Sequence, residues 1–216
     1  PIWQAVFGSV VAIIVVKQLF GGIGKNFANP AITARVILLI AFSAVGSAVH
    51  PVIADVTTGA TPLGVLGGSE GTLPSLLNML LGVRGGALGE TSALALLAGG
   101  IYLVAKRVIT WHTPVAFIAT VFVLTFLTKT DVEFALYQML SGGLFIGAIF
   151  MATDYVTTPS RPIGRLIFGI GCGLITVAIR IWGTYPEGVS FSILFMNLLT
   201  PYIDRLTEKR PFGGIR

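Results

Sequence analysis

The sequence predicts an all-α polytopic membrane protein with about seven transmembrane helices. Three observations carry that reading. Apolar residues make up 54% of the chain and charged residues only 11%, against about 25% charged in a typical soluble domain. Mean hydropathy is +0.89. The apolar residues also fall into runs of roughly 20, the length that crosses about 30 Å of hydrocarbon at 1.5 Å per residue. A soluble fold of 216 residues could not cover its surface with so few charges, so the apolar surface faces lipid.

Taken in order, the predicted spans cover residues 2–20, 30–50, 91–108, 113–128, 134–152, 163–182 and 188–204. Asn29-Pro30 marks the second start, an N-cap followed by proline at the first helical position. Thr61-Pro62 and Thr158-Pro159 have the same form. Between the second and third spans lies a Gly-rich stretch, 51–90, whose one apolar run, Leu73 to Leu81, is too short to cross and reads as interfacial or re-entrant. The chain 1–216 is thus one transmembrane domain with a long loop at 51–90. Glycine pairs such as Gly142-Gly143 let helices approach closely in lipid. Where they break an apolar run, they suggest non-helical backbone lining a cavity inside the protein.

Net charge is +5 and the pI about 9.7, a balance that in a soluble protein would suggest nucleic acid. Alternating the seven helices explains it differently. Eleven Lys/Arg fall on one side, including Lys17, Arg35, Lys106, Arg165 and Arg205. Three fall on the other: Arg84, Lys129 and Arg180. The positive-inside rule then places the C-terminus in the cytoplasm and the 51–90 loop outside the inner membrane, with no nucleic-acid partner. The same alternation puts Pro1 outside. Pro1 is not an initiator Met and no basic stretch precedes the first apolar run, so no signal peptide is read here. A protein that starts in the cytoplasm then needs an odd number of helices before Pro1. Three would make ten, a number suited to two five-helix repeats.

The single cysteine, Cys172, and the distant His50 and His112 exclude a disulfide framework, an iron–sulfur cluster held by this chain alone and a His/Cys metal site. Redox chemistry would need an organic cofactor. Among ionisable groups at predicted helix ends stand Glu90, Asp154 and Glu187. An acid at a helix N-terminus complements the dipole. The alternative is an oxygen ligand for a passing cation or a partner for a flavin. Asn26, Asn29, Asn78, Gln138 and Asn197 suit interhelical hydrogen bonds, or the amide edge of a flavin ring. The segment Asp55-Val56-Thr57-Thr58-Gly59-Ala60-Thr61-Pro62-Leu63 reads physically as an external loop ending in a helix cap, with the Thr61 hydroxyl exposed enough for phosphoester chemistry.

That segment resembles the flavin-attachment motif Asp-x-x-(Ser/Thr)-Gly-Ala-Thr of the D component of the Rnf complex and of the B component of the sodium-pumping NADH:quinone reductase. The match extends to Gly21-Gly22-Ile23-Gly24-Lys25-Asn26-Phe27-Ala28-Asn29-Pro30-Ala31, with Ile23 where the family has Leu. It continues through Gly89-Glu90-Thr91-Ser92, Phe150-Met151-Ala152-Thr153-Asp154 and Tyr185-Pro186-Glu187-Gly188, and on to Met196-Asn197 and Pro201-Tyr202-Ile203-Asp204. The Thr-Gly-Ala-Thr-Pro-Leu form and the short tail after Asp204 are more similar to the Rnf branch. The resemblance implies a ten-helix inverted-repeat fold similar to urea transporters. It implies FMN linked through its phosphate to Thr61, with Asp55, Thr58, Gly59 and Ala60 read by a flavin transferase. The complex would move electrons between ferredoxin and NAD+ and couple this to Na+ or H+ transport. Implied partners are a component with a second covalent FMN and membrane components bearing an iron–sulfur cluster. Riboflavin is expected as a second flavin, with a flavin or cation near Asn26, Asn29, Asp154 and Glu187. Outside that family, the residues also permit a non-redox solute channel and a membrane scaffold that only docks redox partners.

Overall fold

A capping side chain starts half of the described α-helices. The computed structural model describes residues 2–22, 24–42, 61–84, 86, 89–183, 185 and 187–208, and among them no strand occurs. Helix α1 (Ile2–Val10) runs on as a π-helix, Val11–Gln18. Helix α2 (Pro30–Ala41) begins where the Asn29 side chain accepts the backbone N–H groups of Ala31 and Ile32. Helix α3 (Pro62–Leu66) is capped by Thr61, α4 (Leu76–Leu81) by Ser75 and α5 (Ala93–Ala105) by Ser92. Helix α6 spans His112–Lys129, and α7 (Val132–Leu140) is capped by Asp131. Helix α8 (Leu144–Ile146) continues as a second π-helical stretch, Gly147–Met151. Helices α9 (Pro162–Trp182) and α10 (Val189–Thr207) are the last among the described residues.

Two of these helices, α6 and α9, are long and apolar enough to cross a membrane, and α7 with α8 forms a third crossing if the bent pair counts as one. α10 is as long, but it places Ser190, Ser192, Asn197 and Thr200 among its buried residues. The Thr176 hydroxyl of α9 donates to Ser192 of α10 at 2.8 Å, and the Ser192 hydroxyl donates to the Val189 carbonyl. Polar groups are thereby satisfied between helices rather than left to lipid. Trp111 at the start of α6 and Trp182 at the end of α9 are both exposed. Aromatic residues in such places mark the two interfacial belts.

α6 and α9 run side by side in the same direction. The Thr113 hydroxyl donates to the Arg165 carbonyl near one end, and Leu127, Thr128 and Trp182 line one apolar groove at the other. A small-residue stripe on α9 allows the contact. A Cβ at Gly169 would lie 2.7 Å from the Thr113 carbonyl oxygen, and one at Gly173 2.6 Å from Thr120 Cβ. Around this pair Phe117, Val121, Leu144, Ala148, Phe168, Cys172 and Ile193 form the main core. A second cluster packs Met79, Ala93, Tyr137, Leu140, Phe145 and Ile149. The Tyr137 hydroxyl donates to the Pro74 carbonyl at 2.9 Å, which ties the segment between α3 and α4 to the bundle. Gly169→Ala is expected to destabilise the protein by about 1–3 kcal/mol, the usual range for overpacking, because the backbone carbonyl it meets cannot rotate away. Thermal unfolding in detergent measures this, and an unchanged melting temperature would refute the tight-contact reading.

The structure corrects the sequence reading in three places. The span drawn over 134–152 is broken at residues 141–143, and its halves Val132–Leu140 and Leu144–Met151 meet at 64°. Gly142 takes a φ of 63°, a left-handed conformation open to glycine at no cost. Thr158-Pro159 caps no helix. The Thr158 hydroxyl donates back to the Ala152 carbonyl, and α9 starts at Pro162 instead. The span drawn over 30–50 is helical over Pro30–Ala41, and residues 43–50 lie outside the described set.

Candidate functional site

The break at Ser141, Gly142 and Gly143 gathers the charged side chains of four separate segments. Arg180, in the last turn of α9, donates to the carbonyls of Gln138 at 2.6 Å and Ser141 at 3.1 Å. It thereby caps the last turn of α7, whose carbonyls have no helical partner. Glu187, just before α10, pairs through Oε2 with Arg35 of α2 at 3.0 Å. A Cβ at Gly143 would meet Glu187 Oε1 at 2.5 Å and Glu90 Oε2 at 2.9 Å. Both carboxylates therefore converge on the same point, and a side chain at 143 would have to displace them. Arg84 donates to the carbonyls of Thr91 at 3.0 Å and Glu90 at 2.8 Å. Burial lowers the Arg84 pKa below the ordinary arginine value, and the Glu90 charge works against that.

Three guanidinium groups, each permanently protonated, thus face two carboxylates, which leaves the group one positive charge in excess when both acids are ionised. Three buried polar atoms here lack a hydrogen-bond partner among the described residues: Glu187 Oε1, Arg180 Nε and Ser141 Oγ. An unsatisfied buried polar atom costs about 1–3 kcal/mol, so three around one helix break single it out as a candidate functional place.

Thr61 stands beside this group. Its Oγ1 accepts the Gly64 N–H at 3.1 Å as the α3 cap, and the side chain is half-buried. Leu63, two residues on, reaches the break. A Cβ at Gly142 would touch Leu63 Cδ2 at 3.0 Å and Arg180 Nη2 at 3.2 Å. The α3 turn and the guanidinium of Arg180 therefore approach the same point of the break.

The remaining predicted site residues form a different constellation. Asn29 caps α2, and its backbone N–H donates to Asn197 at 3.1 Å in the amide orientation that the neighbours require. Asn197 in turn donates to the Thr157 carbonyl at 3.3 Å, which also accepts from the Thr200 hydroxyl at 2.9 Å. Asp154 accepts from the Thr157 hydroxyl and the Val156 N–H. Asn26 donates to the Ala28 carbonyl of its own loop. Asn197→Leu is expected to cost about 1–3 kcal/mol by leaving the Asn29 N–H without its acceptor. Chemical denaturation of the purified protein checks this, and a neutral result would show that the α2 N-terminus finds another partner.

The residues expected near a flavin or cation lie at more than one position. Glu187 lies at the helix break, Asn29 and Asp154 are linked through Asn197 and Thr157 beside the middle of α10, and Asn26 bonds within its own loop. Asp55, Thr58, Gly59 and Ala60 lie outside the described residues. Arg35, sorted with the majority side, pairs with Glu187 beside Arg180, which is sorted with the minority. The Arg35 helix starts at Asn29, next to Asn197 in mid-α10.

Sequence reasoning does not single out Arg35, Arg84, Arg180 and Ser141 as site residues. A signal is present in Ile179-Arg180-Ile181, an arginine within an apolar helix. Such a charge costs about 2.5–3.5 kcal/mol at the bilayer centre and marks a partner by default.

The chain matches the model of the "NQR2, RnfD, RnfE family" over residues 1–213. It is 46% identical to the D component of the Na(+)-translocating ferredoxin:NAD(+) oxidoreductase complex of Acetobacterium woodii, over 99% of this chain and 67% of that protein. It is 42% identical to the D component of the ion-translocating oxidoreductase complex of Stutzerimonas stutzeri, over 99% of this chain and 71% of the relative. With the D component of the proton-translocating ferredoxin:NAD(+) oxidoreductase complex of Clostridium ljungdahlii the identity is 40%, over 100% of this chain and 70% of the relative.

Proposed function

The chain belongs to the NQR2, RnfD, RnfE family, and on that premise we propose that it is the RnfD component of an ion-translocating ferredoxin:NAD+ oxidoreductase. It is an inner-membrane part of a redox-driven translocase, assembled with the other components of that complex. FMN is bound covalently through a phosphoester to Thr61 Oγ1, on the outer side of the membrane. The full protein has about ten helices in two inverted repeats, of which about seven belong to this chain. Two or three helices capable of crossing among the described residues support that membrane reading, and the eleven-to-three distribution of basic residues in the sequence supports the orientation.

The observation that carries the cofactor assignment is the position of Thr61. Its oxygen serves the α3 cap as an acceptor, so the O–H bond is free to be replaced by an O–P bond while the cap keeps its oxygen. The neighbouring Arg35, Arg84 and Arg180 exceed Glu90 and Glu187 by one charge, which suits a phosphodiester. When bound, FMN supplies the electron transfer that no side chain of this chain can perform. The protein's own part is to hold the attachment turn on a rigid break through Leu63 and Gly142, and to surround it with fixed charges.

Mass spectrometry of the peptide containing Thr61, from a host with an active flavin transferase, is expected to show FMN minus one water above the bare peptide. A peptide found only at its unmodified mass would remove the flavin and leave a membrane scaffold.

A further inference from the structure

Five charged side chains meet at the break in the α7–α8 span, against the turn that carries Thr61, yet they are not needed to form the phosphoester. Arg180 and Leu63 approach the same point on Gly142. Glu187 and Glu90 approach the same point on Gly143. Arg35 is bonded to Glu187, and Arg84 to the backbone at Glu90.

We propose that this juxtaposition of Arg35, Arg84 and Arg180 with Glu90 and Glu187, against the Thr61 turn, sets the reduction potential of the flavin attached there. The inference rests on the FMN reading above and deepens it by naming the residues that tune the cofactor. Reduction adds negative charge to the flavin, and a fixed positive excess favours it. In a partly buried site the effective dielectric is roughly 20, and a unit charge on the order of 10 Å away then changes such an equilibrium about tenfold. Arg84 and Arg180 are held by backbone carbonyls and cannot swing away to be screened by water. The hydrogen bond between Arg35 and Glu187 makes the balance adjustable, because each member can be neutralised while its partner remains.

The sign of the effect is the test. The assembled complex is prepared from a flavinylating host, and the midpoint potential of the Thr61-linked flavin is measured by spectroelectrochemistry, with the Thr61→Ala complex subtracted as baseline. Glu187→Gln is expected to raise the midpoint by about tenfold in the oxidised-to-reduced ratio, ~30 mV for a two-electron couple. Arg35→Gln is expected to lower it by a similar amount or less, since Arg35 is the more exposed partner. Arg180→Lys keeps the charge and is expected to leave the midpoint near that of the wild type. A structural perturbation alone would move both neutralising variants in the same direction. Shifts of equal sign, or no shift in either, overturn the proposal. Absence of any flavin on the wild-type chain overturns the FMN reading instead, and is seen beforehand as a dark band on a denaturing gel under ultraviolet light.

Discussion

Thr61→Ala is expected to abolish the fluorescent band that the wild-type chain gives on a denaturing gel, while the fold survives. The two effects separate because the hydroxyl does two jobs of very different size. As the α3 cap it accepts one N–H, from Gly64, and losing an N-cap of this kind costs about 1 kcal/mol. The helix it caps is five residues long, and its packing rests on Pro62 and Leu63, both buried, which the substitution leaves in place. As the attachment oxygen it is irreplaceable, since alanine offers no atom to bond to phosphorus. Thr61→Ser restores both the cap and the oxygen, so a band is expected to return if the transferase tolerates the missing methyl. Gel fluorescence and thermal unfolding on the same preparations check the pair of results. A band that persists in Thr61→Ala would place the flavin on another residue.

The helices are legible in the sequence because lipid imposes a length and a composition on each. The starts at Pro30, His112 and Pro162 fall within a residue of their predicted positions, set by Asn-Pro, by the polar Trp111-His112 junction and by Pro162. The interruption at residues 141–143 is only half legible. Gly142-Gly143 marks a weak point, but a glycine pair between helices that pack closely looks the same as one at a break. What decides between them is whether a second chain segment enters the gap. Here Arg180 and Glu187 do so from 39 and more residues away, and no local pattern records that. Glu187 is readable as a candidate because it is an acid at a helix end. Arg180 is hidden by its role in the charge count, where a basic residue near a membrane face needs no partner. The partners of Asn197 are hidden for a related reason. Polar residues in apolar runs signal that a partner exists, and only the packing of α2 against α10 shows which.

Arg180→Leu is expected to make α9 a better membrane helix by composition and yet to destabilise the folded protein by about 3–5 kcal/mol, the cost of removing one member of a buried charge group. The substitution removes the donors for the Gln138 and Ser141 carbonyls, exposing the end of α7 to a medium in which each unsatisfied backbone group is expensive. It also withdraws a positive charge from the neighbourhood of Glu187 and Glu90, so the group changes from an excess of one positive charge to none. Arg35 still holds Glu187 Oε2, but Oε1 remains buried without a partner among the described residues. These contributions can be told apart. Glu187→Gln in the Arg180→Leu background removes the acid that Arg180 had balanced, and it is expected to recover part of the loss, as residues within one charge network do in double-mutant cycles. The carbonyls of Gln138 and Ser141 stay without donors in both variants, so full recovery is not expected. Equilibrium unfolding in mixed detergent measures all four proteins of the cycle. If Arg180→Leu unfolds at the same denaturant concentration as the wild type, the guanidinium is not holding the break together, and the site around Gly142 and Gly143 must be stabilised by packing alone.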